Sequence, residues 1–437
     1  MRRLVVIVGL AIAVGLVALT ATQLPAMLTA TGGPTPSASV GDASPGPSPT
    51  AAVPSPAASP ALRSPSPYVP ASVDRTGLRE RLQAALEQGR IELAAPGISA
   101  SVLFPDGRQW AGVAGVADLA TGLALTTATP FAVASVSKTF LAAEILTLAG
   151  SGNLDLEASV AALLPGVLVG GRPIDGRITV HQLLDHTSGL GDYLVDAAFD
   201  KAILADPTRV WTPAEVLLYA GKALAAPGVG HHYANTNYVL LGLVAERVSG
   251  RTLAAEFRDR FFGPLAMRTA YYQGAEPPTS EPARAYRYTT AKLDTPVDVS
   301  DGTTIRPFTA ILTAAGAAGS VAASPSDLAR WARALYGGYV LAPSTIAEMV
   351  ADAALTESLK PAAPYGLGVQ VYEIDGRISY GHSGSLVGAR TVMRWFPVEG
   401  IAIVVATNES RFDPAIVLRD LLAVISPRSI GGGPRPR

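Results

Sequence analysis

The sequence predicts an α+β fold in which both ends of the folded region contribute strands to one antiparallel sheet and a mostly helical subdomain is inserted between them. Three observations support this prediction. Short runs of β-forming residues lie between residues 98 and 116, further runs lie between 367 and 406, and apolar helical patterns fill most of 130–349. The two sets of strands pair most simply in one sheet, so we expect the helices to flank that sheet.

The first 30 residues are predicted to be a signal peptide or a membrane anchor. Two arginines precede an apolar run from Leu4 to Leu19, which continues more weakly to Ala30. Positive charge ahead of such a run is typical of segments that enter or cross a membrane. A helix from Leu4 to Leu19 would be about 24 Å long, whereas the hydrocarbon layer is roughly 30 Å thick and a helix continued to Leu28 would span it. Cleavage and retention of this segment both remain open.

The rest of the chain divides into a linker, a folded domain and a tail. Residues 31–72 are dominated by Pro, Ser, Ala and Gly, which predicts an extended linker. We expect the folded domain to span 73–427 and residues 428–437 to be a disordered tail. With the N-terminal segment, this organisation predicts an extracytoplasmic protein that is secreted or anchored to a membrane by its N-terminus.

Composition argues against several classes of function. The 437 residues carry a formal net charge of −1, which gives no reason to expect a nucleic acid partner. The chain has no cysteine, so disulfides, a thiol nucleophile and lipid attachment through cysteine are excluded. The five histidines form no H-E-x-x-H or similar metal-binding array. We therefore expect no metal and no cofactor, and a small molecule or a peptide as the binding partner.

The folded domain is predicted to begin with a helix and a β-hairpin. Leucine recurs three times at every fourth residue, which predicts an amphipathic helix over 74–89. Two runs of β-forming residues follow at 98–104 and 109–116. Asp106-Gly107 between them favours a tight turn, so the two runs are expected to pair.

The middle of the chain is predicted to be mostly helical. Thr212-Pro213-Ala214-Glu215 combines a capping threonine, a proline in the first turn and an acid at the third position, which together mark a helix start. Other predicted helices cover 135–150, 238–248 and 324–335, and a turn is predicted at 184–190.

The C-terminal part is predicted to return to strands. Asp375-Gly376 and the segment 397–400 are turn signals, and runs of β-forming residues flank both of them. The predicted strands cover 367–374, 377–381, 390–396 and 401–406, and a closing helix covers 412–425.

A candidate nucleophile lies at the start of the helix predicted over 135–150. Ser135 and Lys138 are three residues apart and would share one helix face, so the hydroxyl and the amine come within hydrogen-bond distance. A lysine amine can remove the serine proton once burial or a nearby cation lowers its pKa. Unpaired N–H groups at the helix start would also favour negative charge on a bound carbonyl. The alternative is a capped helix with an exposed lysine, because S-x-x-K also occurs by chance.

Tyr233 and Asn235 lie directly before a second apolar helix. A phenol near a lysine ammonium loses its proton more easily, because the positive charge favours the phenolate. Tyr233 could then act as general base for Ser135 and later as acid for the leaving group. Asn235 offers both a donor and an acceptor to a substrate amide. A loop tyrosine that only packs its ring is the alternative.

His382-Ser383-Gly384 follows the strand predicted over 377–381. Glycine at this point would let a substrate backbone approach the strand edge. The N–H of Ser385 could pair with that of Ser135 as an oxyanion hole. The segment is similar to a G-x-S-x-G nucleophile elbow, but Ser385 occupies the position that requires glycine, so we reject Ser383 as the nucleophile.

Three ordered motifs, Ser-x-x-Lys at 135–138, Tyr-x-Asn at 233–235 and His-x-Gly at 382–384, resemble those of the penicillin-recognising serine hydrolases. They are most similar to the branch that holds class C β-lactamases, DD-carboxypeptidases and related esterases. Supporting similarities lie at Leu184–Leu190, at Pro227-Gly228 and at Ser324–Arg330. The resemblance runs from about Asp74 to Ile425 and implies a β-lactamase/transpeptidase-like fold.

The resemblance also implies roles for individual residues. Ser135 would be the acylated nucleophile, Lys138 its activating partner and Tyr233 the general base and acid. Asn235 would contact a substrate amide. His382 takes the place that lysine usually holds in the lactamases, and a largely neutral imidazole anchors a carboxylate less firmly. The chain also has no Ser-Asp-Asn or Lys-Thr-Gly motif, which argues against a class A enzyme.

The expected function is a serine hydrolase that forms an acyl-enzyme on esters or on D-amino-acid peptides, including cell-wall peptides, with β-lactams ranked third. A weak β-lactamase is one alternative, and a non-catalytic penicillin-binding-like sensor or interaction module is another. Residues 270–313 carry four tyrosines and few periodic signals. This segment is expected either to rim the substrate cleft or simply to pack on the surface.

Overall fold

The computed structural model of this chain describes residues 77–289, 295–351, 354–356 and 363–426. The predicted signal peptide or anchor, the linker and the C-terminal tail lie outside these residues. Their assignments therefore remain predictions.

The strands are numbered in chain order. They are β1 (Gly97–Leu103), β2 (Gln109–Asp118), β3 (Leu123–Ala124), β4 (Phe131–Ala132), β5 (Leu168–Val169), β6 (Arg172–Pro173), β7 (Tyr271–Tyr272), β8 (Tyr286–Arg287), β9 (Val297–Asp298), β10 (Val321–Ala323), β11 (Ala354–Thr356), β12 (Ala363–Tyr365), β13 (Gln370–Ile374), β14 (Arg377–Leu386), β15 (Ala389–Phe396) and β16 (Ile401–Thr407).

The α-helices are numbered in the same way. They are α1 (Leu78–Glu92), α2 (Ser137–Gly150), α3 (Val160–Leu163), α4 (Val180–Leu184), α5 (Ala197–Ala205), α6 (Pro213–Leu217), α7 (Asn235–Ser249), α8 (Leu253–Phe257), α9 (Thr309–Ala315), α10 (Pro325–Tyr336), α11 (Pro343–Ala351) and α12 (Ala415–Ile425).

One large sheet organises the described residues. Its nine strands lie in the order β11-β12-β13-β14-β15-β16-β1-β2-β3, and neighbouring strands are antiparallel. The two ends of the domain meet where β1 pairs with β16, from Ile98 opposite Thr407 to Leu103 opposite Ala402. This pairing confirms the predicted antiparallel sheet built from both ends, with the helical subdomain inserted between them.

Strand β16 shows how the sheet separates two cores. Ala402 and Val404 pack on one face with α2 and α10, whereas Ile401, Ile403 and Val405 pack on the other face with α1 and α12. This alternation follows from the two-residue period of a strand. Burial of each large aliphatic side chain contributes about 1.5–3 kcal/mol, so both faces are fixed by apolar contacts.

Several predicted elements form with shifted ends. The first helix covers Leu78–Glu92, and within it the repeated leucines Leu78, Leu82 and Leu86 are buried, as predicted. The hairpin turn forms at Asp106-Gly107, where Gly107 adopts a φ of 84°. Thr212 and Glu215 form the predicted reciprocal cap of α6, and the side chain of Ser324 caps α10.

Two boundaries differ from prediction in ways that affect the site. Helix α2 begins at Ser137, so Ser135 lies in the 3₁₀ turn Ala134–Val136 that precedes it. Strand β14 continues to Leu386, so the predicted end at 381 is wrong. Strand β15 pairs with β14 as far as Leu386 opposite Ala389. This pairing continues the strand through the glycine and serine residues that we expected to end it.

Within the part of the chain that the structure describes, no helix combines the length and the apolar character needed to cross a bilayer.

Glu144 is a carboxylate buried inside α2, six residues beyond Lys138. Its Oε2 lies 3.2 Å from Arg260 Nε, which also pairs with Glu256 at 2.6 Å. Burial raises the pKa of Glu144 to about 7, and the Glu256 charge acts in the same direction while Arg260 and Arg251 oppose it. Helix α2, which follows the nucleophile turn and carries Lys138, therefore contains a carboxyl group whose pKa is raised toward neutrality.

We expect the free energy of unfolding to fall as the pH rises, because of the titration of Glu144. Because the pKa of Glu144 lies above its ordinary value of 4.5, the unfolded chain loses the proton first, and stability declines from about pH 4.5 to about pH 7. Glu144→Gln should remove this decline, so the variant should gain roughly 1–3 kcal/mol relative to wild type between about pH 5 and about pH 8. Urea unfolding at a series of pH values measures the difference. Glu157→Gln, at an exposed carboxylate, is the control, and a difference independent of pH would contradict the prediction.

Candidate active site

The turn that carries Ser135 is held in an unusual conformation. Ala134 adopts a φ of 50°, in the left-handed region where a non-glycine residue costs about 1–2 kcal/mol. The turn is fixed from both sides. The Val136 N–H donates to the Val133 carbonyl at 3.2 Å, and the Ser137 hydroxyl accepts from the Val321 N–H at 3.0 Å. These bonds set the direction in which Ser135 points.

Lys138 is fully buried, and three acceptors surround its amine. Its Nζ lies 3.0 Å from Ser135 Oγ, 2.8 Å from Asn235 Oδ1 and 3.0 Å from the Ala318 carbonyl. An ammonium has three hydrogens and fills all three contacts. A neutral amine has two hydrogens, which can remain on Asn235 and Ala318 while the lone pair faces the hydroxyl of Ser135.

The pKa of Lys138 is lowered to about 7, because burial disfavours its charged form, while the Asp192 carboxylate acts in the opposite direction. A substantial fraction of the amine is therefore neutral at neutral pH. In that form it can accept the proton of Ser135.

Tyr233 lies on the other side of the nucleophile. Its hydroxyl donates to Ser135 Oγ at 3.1 Å, and its ring centroid lies 5.2 Å from Lys138 Nζ. Burial raises the pKa of Tyr233 above its ordinary value, and the Asp192 charge adds to this, while the bond to Ser135 opposes it. The expected phenolate is therefore disfavoured in the free site, because the cost of burying a negative charge outweighs the nearby amine. Tyr233 is a proton donor in this arrangement.

Asn235 connects two buried groups. Its Oδ1 accepts from Lys138, and its Nδ2 donates to Asp192 Oδ2 at 2.9 Å. Sequence reasoning assigned this amide to a substrate contact. In the structure both of its ends are bonded to the protein, so Asn235 holds Lys138, and its contact with a substrate amide stays a prediction.

His382 faces the site as a buried, neutral imidazole. Its Nδ1 lies 2.6 Å from the Ser383 carbonyl, which can only accept, so Nδ1 carries the hydrogen and Nε2 accepts from the Tyr365 hydroxyl at 3.0 Å. Burial lowers the pKa of His382 to about 3, and the neighbouring Lys138 adds to this effect. His382 thus contributes no positive charge at neutral pH.

Gly384 lets β14 reach the nucleophile turn. A Cβ at this position would lie 2.0 Å from the Val133 carbonyl and 3.0 Å from the Ala134 Cβ. The turn itself is therefore the close neighbour of Gly384 in the protein, and the approach of a substrate backbone to this strand stays a prediction. Ser385 follows on the same strand, opposite Arg390 of β15, with its side chain exposed. Its pairing with the Ser135 N–H as an oxyanion hole remains a prediction.

Sequence reasoning missed three groups that position the site. The Ala318 carbonyl and the Asp192 carboxylate are two of them, and His186 is the third. Its Nδ1 accepts from the Ala234 N–H at 3.2 Å, and its ring centroid lies 4.2 Å from that of Tyr233. His186 lies within the segment 184–190 that supported the resemblance, and Asp192 follows that segment by two residues, which was the signal available in the sequence.

Within the described residues, no group of three or more histidine, cysteine, aspartate or glutamate side chains is arranged to hold a metal ion.

Comparison with known proteins gives the family. A family model described as beta-lactamase matches residues 82–425 of the chain. The chain belongs to the beta-lactamase family. It is a serine hydrolase, and its recognition as a relative of penicillin-recognising enzymes is confirmed.

This beta-lactamase family member has relatives with several activities in their names. It is 29% identical to penicillin-binding protein 4 of Amycolatopsis lactamdurans, over 77% of this chain and 85% of that protein. It is 34% identical to esterase EstB of Burkholderia gladioli, over 47% of this chain and 54% of that esterase, so the match spans about half the esterase. A solved D-stereospecific amidohydrolase from Streptomyces sp. is 28% identical with a TM-score of 0.67, covering 79% of this chain and 98% of that one.

The expectation that residues 270–313 rim the cleft gains no support from the described contacts. Tyr271 and Tyr286 are buried, and a Cβ at Gly388 would lie 2.7 Å from the Ala285 Cβ. This part of the segment therefore packs beside the turn between β14 and β15.

We expect Gly384→Ala to lower the reactivity of Ser135, although Ser135 itself is unchanged. The added methyl cannot fit beside the Val133 carbonyl, so β14 or the turn must move, and a displacement of about 1 Å can cost roughly 100-fold in rate. The measurement is the rate at which an uncharged fluorophosphonate labels Ser135, followed by mass spectrometry. Gly176→Ala is the matched control, because a Cβ there meets nothing within 4 Å. An unchanged labelling rate in Gly384→Ala would show that the contact does not position Ser135.

Proposed function

We propose that this protein is an extracytoplasmic serine hydrolase that forms an acyl-enzyme on Ser135 and acts on esters or on D-amino-acid peptides and amides. One observation carries the proposal. Ser135 Oγ lies 3.0 Å from Lys138 Nζ, a buried amine that is partly neutral at pH 7, and 3.1 Å from the Tyr233 hydroxyl. A base and an acid thus contact the same nucleophile.

Acylation uses the two groups in turn. The neutral Lys138 amine takes the proton of Ser135 as Oγ forms a bond to the substrate carbonyl carbon. The resulting oxyanion is assigned to the N–H groups of Ser135 and Ser385. When the bond to the leaving group breaks, Tyr233 gives that group its proton and recovers one from the Lys138 ammonium, so an alcohol or amine leaves and Ser135 is acylated.

Deacylation reverses the proton transfers with water in place of the leaving group. The oxygen of water bonds to the acyl carbon, and its proton passes to the Tyr233 and Lys138 pair. The bond to Ser135 Oγ then breaks and Oγ regains a proton. The products are a carboxylic acid and the free enzyme.

The proposed substrate order follows from charge. A β-lactam and a C-terminal D-peptide both present a carboxylate, and His382 is neutral at physiological pH, so it cannot attract that carboxylate as a lysine would. This places β-lactams, and peptides that end in a free carboxylate, after neutral esters and amides. The names of the relatives, an esterase and a D-stereospecific amidohydrolase among them, support esters and D-amino-acid amides as the first classes to test.

The proposed location rests on the sequence alone. Arg2 and Arg3 before an apolar run, followed by the proline-rich segment 31–72, support export or anchoring with a spacer. Protease protection in intact cells, compared with lysed cells, distinguishes a cytoplasmic from an exported domain.

A substrate screen tests the activity. The purified protein is assayed with an activated ester, a D-amino-acid amide, a peptide that ends in D-Ala-D-Ala and a chromogenic β-lactam, with Ser135→Ala as blank. Turnover of an ester or amide above the blank, with a Ser135 acyl adduct detected by mass spectrometry, is expected. No turnover in any class by a folded protein would remove the hydrolase proposal in favour of a binding module.

The acylation rate should rise with pH through about 7, because Lys138 must lose its proton before it can act as a base. Lys138→Arg keeps the positive charge but cannot deprotonate at these pH values, so its labelling by a fluorophosphonate should fall by roughly 100-fold or more. The exposed Lys222→Arg is the matched control and should behave as wild type. A wild-type profile that is flat between about pH 5 and pH 9 would exclude Lys138 as the base.

A further inference from the structure

Asp192 is a carboxylate that lies beside the site without contacting the nucleophile. It caps the 3₁₀ turn Tyr193–Val195, and its Oδ1 accepts from the Leu194 N–H at 3.1 Å. Its Oδ2 accepts from Asn235 Nδ2 at 2.9 Å. One oxygen is therefore fixed by the backbone, and the other is aimed at the residue that holds Lys138.

The chemistry of this contact fixes the direction of the Asn235 amide. Burial raises the pKa of Asp192, while the bonds from Leu194 and Asn235 and the Lys138 charge oppose that rise. In its ionised form the carboxylate only accepts hydrogen bonds, so Asn235 must present Nδ2 to Asp192 and its oxygen to Lys138. The oxygen is the end that a lysine amine requires. If the amide turned over, its NH₂ group would face Lys138, and two donors would oppose each other in a buried space.

The Asp192 carboxylate also provides a negative charge near the Lys138 amine. Among the residues that the structure describes, two phenols and two imidazoles also lie near it, and they are neutral at pH 7 because burial raises the pKa of the phenols and lowers that of the imidazoles. They are Tyr233, Tyr238, His186 and His382. Burial alone lowers the pKa of Lys138, and Asp192 opposes that fall.

We propose that Asp192 is a positioning residue of this site, which orients the Asn235 amide and sets the charge state of Lys138 across it. The inference rests on the proposed function, because it concerns the same base. Asp192 contacts neither Ser135 nor the predicted oxyanion donors, so its effect on catalysis passes through Asn235 and Lys138.

The distinguishing measurement is a pH profile. Fluorophosphonate labelling of Ser135 with an uncharged probe is followed in Asp192→Asn and in wild type. Loss of the carboxylate should move the midpoint of the rising limb to lower pH by about one unit, because an opposite charge nearby typically raises a lysine pKa by at least that amount. The plateau rate should also fall, because the amide of Asn235 is no longer fixed. Asp192→Glu keeps the charge and should restore the wild-type midpoint.

Two further variants control for folding. Asp192→Ser keeps an oxygen that can cap Leu194 but removes the charge, so it serves if Asp192→Asn does not fold. Asp196→Asn neutralises a neighbouring cap, which accepts from Ala198 and Phe199 N–H at 2.9 Å, and should leave the midpoint unchanged. An unmoved midpoint in the folded Asp192 variants would overturn the proposal. So would a raised KM for cationic substrates alone, which would make Asp192 a substrate contact.

A second readout separates this proposal from the proposed function. The chain has five lysines, so the Lys138 signal of the ¹³C-lysine-labelled protein can be assigned with Lys138→Arg and titrated by NMR. A midpoint that falls in Asp192→Asn supports the inference even if no substrate is turned over. A midpoint that stays constant refutes it even if the enzyme is active.

Discussion

The buried amine of Lys138 is the constraint on which the rest of the site depends. Its three acceptors come from separate parts of the chain: the turn before α2, the first residue of α7 and the turn that follows α9. A buried amine without acceptors is costly, so the three segments must meet at one point. A slip of one residue in α2 would rotate Lys138 by about 100° and leave all three acceptors unfilled. Three segments of the helical subdomain thus converge on a single nitrogen.

The sheet provides the opposite wall of the site and the rigidity that the nucleophile turn needs. Strand β14 pairs with β13 over residues 377–381 and with β15 over residues 380–386, and Gly384 brings it against the Val133 carbonyl. A turn with Ala134 in a left-handed conformation persists only where its surroundings determine it. Here the surroundings are a paired strand on one side and the bond between Ser137 and Val321 on the other. Strands from the two ends of the domain therefore support the site, whereas its base, Lys138, and its acid, Tyr233, come from the middle of the domain.

The sequence predicted those features that depend on local pattern and missed those that depend on distance. The runs of β-forming residues and the Asp-Gly turns predicted the sheet. The order and spacing of the motifs identified Ser135, Lys138 and Tyr233 as candidate catalytic residues. The boundary of β14 failed because pairing with β15 overrides local glycine signals. Asp192 could not be assigned, because it belongs to none of the three motifs and its bond to Asn235 depends on the fold. The protonated state of Tyr233 was also missed, since burial cannot be read from a motif.

The charge balance of the site determines how it can discriminate between substrates. His382 is neutral, and Arg394 on the neighbouring strand does not replace it, because Arg394 bonds to Gln370 Oε1 at 2.7 Å and stacks on Tyr372. Successive residues of a strand face opposite sides, and Gly381, not His382, lies opposite Arg394, so that guanidinium belongs to the other face of the sheet. A substrate carboxylate beside His382 would meet a neutral imidazole in place of the cation that a lysine would provide there. Selection between an ester and an amide therefore depends on the leaving group, because an amine must be protonated by Tyr233 as it departs and an activated alcohol does not need this.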